Sequence, residues 1–119
     1  MKKILYFIVL FVTVLSCTML DNKTIFHIEN DSDLFITDVE ISNGYNKVYI
    51  DSLKKTKIEN LELKFENVPK IDGGYKISFK KESNDVFYNF GYFSNGIPLS
   101  VEYDILVKND TILISEITN

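Results

Sequence analysis

Arginine, alanine, glutamine and tryptophan are absent from this chain of 119 residues, and cysteine and histidine occur once each. Without arginine, and with a net charge of −4, the chain lacks the basic surface that nucleic acids require, so we expect no nucleic-acid partner. A single cysteine excludes an intramolecular disulfide, so stability must come from packing. The lack of alanine disfavours helices, whereas the abundant isoleucine, phenylalanine and tyrosine favour strands.

The N-terminal segment is typical of an export signal. Two lysines precede an apolar run over residues 4–15, which is shorter than the ~20 residues of a transmembrane helix but suits a secretory signal. The residues Val14-Leu15-Ser16-Cys17 that end it resemble the lipobox of bacterial lipoproteins. That resemblance implies cleavage before Cys17 and attachment of lipids to its thiol and new amino terminus. The alternatives are an ordinary signal peptide that leaves Cys17 as a free thiol, or a short uncleaved anchor.

The same resemblance implies a domain division and a location. Residues 1–16 are the expected signal peptide, 17–23 the lipidated cysteine and its tether, and 24–119 the folded domain. Thr18 follows Cys17 at the position where aspartate commonly retains such lipoproteins in the inner membrane. We therefore expect an outer-membrane protein that faces the periplasm. Cleavage would lower the net charge from −4 to −6, because two lysines are removed.

Apolar and polar residues alternate from Thr24 onwards, in short runs separated by turn residues. Such a pattern, with no stretch of helical period, predicts an all-β domain of seven to eight strands, arranged as an antiparallel two-sheet β-sandwich. Residues 65–77 contain a strand end, a proline–glycine loop and a strand that begins at Tyr75. This segment is similar to one found in immunoglobulin-like, fibronectin type III and transthyretin-like modules, which implies an Ig-like sandwich.

Three turn signals predict hairpins with definite registers. The turns are expected at 43–44, 83–84 and 109–110, where asparagine, aspartate, serine and glycine favour tight bends. The predicted cross-strand pairs are Val39–Val48, Phe79–Tyr88, Val107–Ile112 and Leu106–Leu113.

Few residues could carry chemistry. His27 is the single histidine, it lacks a second histidine or a free cysteine for a zinc site, and it is expected on the outer face of its strand. Asp31 and Asp33 faintly resemble the start of a calcium loop, but the strand that follows leaves no room for the remaining ligands. The sequence therefore predicts no catalytic residue, no metal ligand, no cofactor and no enzymatic activity.

Four apolar side chains are expected to point outward and to form an interaction surface for a protein or glycan partner. Alternation along their strands assigns Phe87 and Phe93, and then Leu106 and Leu113, to faces opposite the core. Two alternatives exist: a loop covers one sheet, or Gly91 marks a bulge that turns Phe93 back inside.

Together these features lead us to expect a lipid-anchored, non-catalytic binding or structural module of the bacterial cell envelope. Its membrane partner would be the bilayer that receives the lipid on Cys17. The alternative function is that of an immunity or inhibitor lipoprotein, which blocks a toxin or a lysozyme-like enzyme in the periplasm, since an acidic surface suits a basic enzyme.

Overall fold

The computed structural model describes residues 22–117. The predicted signal peptide, Cys17 and the first part of the tether lie outside the described residues. The domain is built of strands without any helix between residues 22 and 117. The nine strands are β1 (Lys23–Asn30), β2 (Ile36–Ser42), β3 (Lys47–Leu53), β4 (Ile58–Lys64), β5 (Gly73–Lys81), β6 (Asn84–Ser94), β7 (Ile97–Pro98), β8 (Glu102–Val107) and β9 (Ile112–Glu116).

The strands form two sheets, one in the order β4-β1-β8-β9 and the other in the order β3-β2-β5-β6-β7. This confirms the predicted all-β, two-sheet architecture. The strand count of seven to eight is wrong, because Ile97 and Pro98 add a two-residue strand beside the end of β6. The purely antiparallel pairing is also wrong, since β1 lies between β4 and β8 and runs parallel to β8. Parallel neighbours need a long connection, and the whole second sheet separates these two strands along the chain.

The inner faces of both sheets meet in one hydrophobic core. Phe26 on β1 is fully buried, and its ring stacks at 5.6 Å on Tyr103 and meets Tyr75 of the other sheet edge-on at 5.4 Å. Each buried side chain of this size contributes about 1.5–3 kcal/mol relative to an exposed one. The buried apolar residues are Phe26, Ile28, Ile36, Val39, Ile41, Leu53, Leu63, Tyr75, Ile77, Phe79, Phe93, Tyr103, Ile105 and Val107.

The β2–β3 hairpin is paired two residues away from the predicted register. Val39 lies opposite Ile50, where the sequence predicts Val48. The cause is Asn43, whose side-chain oxygen accepts hydrogen bonds from the backbone of Tyr45 at 2.8 Å and of Asn46 at 2.7 Å. These bonds stabilise a four-residue loop instead of a two-residue turn. A shift by two residues keeps every side chain on its expected face.

The β5–β6 hairpin shows the same two-residue shift, and Phe79 pairs with Val86 instead of Tyr88. Its turn residues are Glu82 and Ser83, whose φ angles of 51° and 65° fit the two-residue turn that hairpins prefer. The third predicted hairpin, between β8 and β9, is confirmed with its register. The observed pairs there include Val107–Ile112 and Leu106–Leu113.

Phe93 does not point outward, so its predicted place on the interaction surface is wrong. Its side chain is 1% exposed and belongs to the core. Gly91 has a φ of 67°, and one extra residue enters β6 between the pairs Tyr75–Phe90 and Gly73–Phe93. This bulge reverses the alternation, turning Phe93 inward and exposing Tyr92. The alternative in which Gly91 flips Phe93 inside is therefore the correct one.

Candidate functional site

The four predicted surface residues do not form one surface. Phe93 lies in the core, and Phe87 lies on the outer face of the five-stranded sheet, where it is 64% exposed. Leu106 and Leu113 are direct neighbours on the outer face of the four-stranded sheet. The outer faces of the two sheets point in opposite directions, so a single partner surface cannot include both Phe87 and the two leucines.

Phe87 stands alone among polar side chains. On β6 it lies opposite Ser78 of β5. The shallow depression beside it is also lined by Lys76, Lys80 and Asp85. An isolated exposed aromatic residue is common on protein surfaces and by itself indicates no binding site. Phe87 is therefore a weak candidate and a useful control position.

The outer face of the four-stranded sheet is different, because its side chains line a groove of about 600 Å³. One row of side chains crosses all four strands: Ile58, Glu29, Leu106 and Leu113 are neighbours in the strand registers. Leu113 is 51% exposed, and Ile58 is exposed as well. The residues that line this outer groove are His27, Glu29, Ile58, Asp104, Ile105, Leu106, Leu113, Ile114 and Ser115.

His27 occupies the next row of the groove and is held by hydrogen bonds on both ring nitrogens. Nδ1 lies 2.6 Å from Oδ1 of Asn60, and Nε2 lies 3.2 Å from Oε2 of Glu102. Since both partners are acceptors, the doubly protonated ring satisfies both by donating two N–H bonds. The pKa of His27 is raised, first by the bond to Asn60 and then by that to Glu102. The predicted outward position of His27 is confirmed, but its two partners were missed.

Carboxylates dominate the charge around the groove. Glu29 stands in the apolar row, and Asp104 lies next to His27 across the parallel β1–β8 pair. Glu102 is bound to the histidine. Even with His27 protonated, these three acids leave the groove negative at neutral pH. The site can therefore bind a ligand that combines apolar groups with positive charge.

The Asp31–Asp33 turn carries structural contacts. Asp31 lies 3.4 Å from the ammonium of Lys108. Asp33 accepts a hydrogen bond from Lys55 at 3.0 Å and another from the Asn109 amide at 3.0 Å, and the Lys55 bond is the main cause of its lowered pKa. No group of three or more histidine, cysteine, aspartate or glutamate side chains suited to a metal ion is found within residues 22–117.

Comparisons with known proteins concern the fold alone. No protein-family model matches the chain, and no curated protein matches it. A protein from Eubacterium rectale, solved by NMR, has a similar fold, with a TM-score of 0.52 and 6% sequence identity, over 82% of this chain and 91% of that one. Among the described residues, no helix has the length and apolar character to cross a membrane. The chain is thus similar to a solved bacterial protein in its all-β architecture.

Proposed function

We propose that this protein is a lipid-anchored, non-catalytic binding module of the bacterial cell envelope, and that its outer groove binds a protein segment with apolar and basic side chains. The observation that carries the binding proposal is the row Ile58–Glu29–Leu106–Leu113, in which a carboxylate stands between exposed aliphatic side chains. Leu106 and Leu113 are aligned on adjacent strands and form an apolar surface that water solvates poorly.

The anchor is supported by the order of charged, apolar and small residues before Cys17. Acyl chains on this cysteine would each contribute about 0.8 kcal/mol per buried CH₂, so several chains hold a small domain at a membrane. Thr18 favours the outer membrane, with the domain in the periplasm.

The chemistry of the groove supports a narrower description of the proposed partner than the sequence alone. Aliphatic side chains line it, and the outward positions of its four strands carry no phenylalanine or tyrosine. The carboxylate of Glu29 lies within the row and that of Asp104 beside it, and both would pair with lysine or arginine of a partner. A peptide or loop that alternates apolar and basic residues fits both features.

The acidic groove also favours a specific form of this function, in which the partner is a basic enzyme or toxin of the periplasm. An inhibitor or immunity protein works by occupying such a partner, and opposite charges accelerate the encounter. The two forms differ in outcome: an inhibitor abolishes its partner's activity, whereas a structural module leaves it intact.

The first experiment tests the anchor. Expression of the full-length chain in a bacterial host with radiolabelled palmitate should label the protein and place it in the membrane fraction. Cys17→Ser should remove both the label and the membrane location. Persistent membrane location of the unlabelled variant would contradict lipid anchoring and favour an uncleaved N-terminal anchor.

The second experiment tests the groove in the native host. A photo-crosslinking side chain at position 113 should capture a distinct protein, and the same side chain at position 87 should not. Leu106→Ser combined with Leu113→Ser should abolish co-purification of that protein, whereas the matched control Phe87→Ser should retain it. Equal capture at both positions would contradict the proposal that the partner binds at the groove. Enrichment of an envelope glycan, lost in the same double variant, would contradict a protein partner.

A further inference from the structure

Exposed aliphatic side chains also gather at one end of the domain, apart from the outer groove. Ile71 lies in the connection between β4 and β5, and Ile97, Leu99 and Val101 lie between the end of β6 and the start of β8. These four side chains are 44% to 62% exposed. The two connections touch, because the backbone N–H of Gly96 donates to the carbonyl of Ile71 at 2.8 Å. We call Ile71, Ile97, Leu99 and Val101 the entry-end cluster.

The chain enters the folded domain at this same end. The backbone N–H of Ile25 donates to the carbonyl of Val101 at 2.8 Å, and the Thr24 hydroxyl donates to the carbonyl of Ser100 at 3.4 Å. Ser100 and Val101 therefore lie directly beside the first residues of β1. Lys23 lies six positions after Cys17. A chain can span at most ~3.6 Å per position, or about 22 Å here.

We propose that the entry-end cluster is a membrane-contact surface, which inserts into the boundary between lipid headgroups and acyl chains. This inference rests on the proposed lipidation of Cys17. A lipid on that cysteine keeps the start of β1 within about 22 Å of the bilayer surface. The nearest exposed aliphatic residues of the domain then meet the interface, where burial of apolar surface is favourable.

The stretch that carries most of the cluster is uncharged, and charges of both signs surround it. Residues 97–101 contain no charged side chain, so nothing in this stretch must be dehydrated as an ion. Lys23 and Lys64 pair at the first register position of β1 and β4, and Lys70 directly precedes Ile71. The acids at this end are Glu62, which is bound to Lys23 at 3.5 Å, and Asp72, which accepts a bond from the backbone of Asn95 at 3.0 Å, together with Glu66 in the β4–β5 connection and Glu102, which directly follows Val101.

This orientation leaves the outer groove free. Leu106 lies four residues beyond Glu102 along β8, on the side away from the entry end. At about 3.3 Å per residue, the apolar row of the groove stands ~13 Å further from the membrane than the start of β8. The domain would thus present its acidic groove to the periplasm. Contact of the entry-end cluster with the bilayer would fix the orientation of the domain relative to the membrane.

The absence of a second cysteine makes the test direct. Since Cys17 is the single cysteine and its thiol would carry a lipid, Leu99→Cys introduces the sole reactive thiol of the mature protein. The lipidated full-length product would be labelled there with a nitroxide and reconstituted into vesicles of phosphatidylethanolamine and phosphatidylglycerol. Ser83→Cys, in the β5–β6 turn at the opposite end, serves as the matched control.

We expect the label at position 99 to show a several-fold lower collision rate with a water-soluble nickel complex than the label at position 83, and a higher rate with oxygen. Equal accessibility at the two positions, in protein whose mass shows lipids on Cys17, would overturn the membrane contact and leave the proposed function intact. A mass that shows no lipid on Cys17 would overturn both the membrane contact and the proposed lipid anchor. A label at position 99 that is shielded only at high protein density would indicate contact between copies of the chain, and would overturn the bilayer as the occupant.

Discussion

The ring of Phe93 lies on the backbone of Gly73, its partner on the neighbouring strand, in space that a side chain would otherwise fill. A Cβ atom added to Gly73 would stand 2.5 Å from Cζ of that ring. Gly91 is equally confined, since a Cβ there would lie 2.7 Å from Cδ2 of Tyr75. Two glycines therefore leave room for aromatic rings where β6 changes face, Gly73 for Phe93 and Gly91 for Tyr75.

The first prediction compares two phenylalanines of the same strand. Phe93→Ala should lower the free energy of unfolding by about 3–5 kcal/mol, because it opens a cavity in the core. Phe87→Ala removes the same atoms from an exposed position and should change the free energy of unfolding by less than about 0.5 kcal/mol. Urea unfolding followed by circular dichroism, on chains that start at residue 17 and carry Cys17→Ser, measures both. Similar losses for the two variants would contradict the bulge at Gly91.

The second prediction concerns Asn30, a fully buried polar residue at the end of β1. Its side-chain amide donates to the carbonyls of Leu34 and Leu53, both at 2.8 Å, and its oxygen accepts from the backbone of Ser32 at 3.1 Å. Asn30→Ala should lower the free energy of unfolding by about 1–3 kcal/mol, since it leaves buried groups without these partners. The exposed Asn109, replaced in the same way, should cost less than about 1 kcal/mol. Equal effects would show that burial of the Asn30 network is unimportant.

The third prediction is the titration of His27, whose proton signals are unique because the chain has a single histidine. Its pKa, measured by NMR, should lie above 6.5, and Glu102→Gln should lower it by removing a charged acceptor. Because the folded-state pKa is raised, the stability gained from His27 should be complete below about pH 6.5 and should disappear as the pH rises through the folded-state pKa. Glu29→Gln is the matched control, because Glu29 makes no hydrogen bond to the ring, and it should shift the pKa less. A larger shift from Glu29→Gln than from Glu102→Gln would contradict the observed pairing.

The fourth prediction is a loss of stability at alkaline pH. Burial raises the pKa of Tyr75 to about 12, and its hydroxyl lies 3.1 Å from the hydroxyl of Thr24. The unfolded chain ionises its tyrosines near pH 10, so stability should be complete below pH 10 and should fall progressively as the pH rises towards 12. Titration of tyrosinate absorbance should show a late-ionising group that Tyr75→Phe removes and Tyr49→Phe, at an exposed position, does not. Loss of the late step in the Tyr49→Phe variant would contradict the assignment to Tyr75.

The faces of most strands were predictable from the sequence, because a side chain's face depends only on its position along an extended chain. Phe26 and Ile28 are buried as expected, and the β8–β9 register follows from its short local turn. The registers of the other two hairpins were missed by two residues, since Asn43 and the Glu82–Ser83 turn can each close the chain in more than one way. The face of Phe93 was missed because a bulge is decided by the fit of a ring over Gly73 on another strand.

By itself, the sequence determined the all-β class and the alternation that buries one side of each strand, both of which are local properties of the chain. It also carries the lipobox-like motif at Cys17, where lipidation stays a prediction. Only the tertiary structure decided that β1 runs parallel to β8, and so brings Glu29 beside Leu106 and His27 beside Asp104. The contacts of His27 join residues 33 and 75 positions apart, and no local pattern encodes a pairing of that range. Local geometry sets the face of a residue, but its neighbours across a sheet depend on which strands pair and in which register.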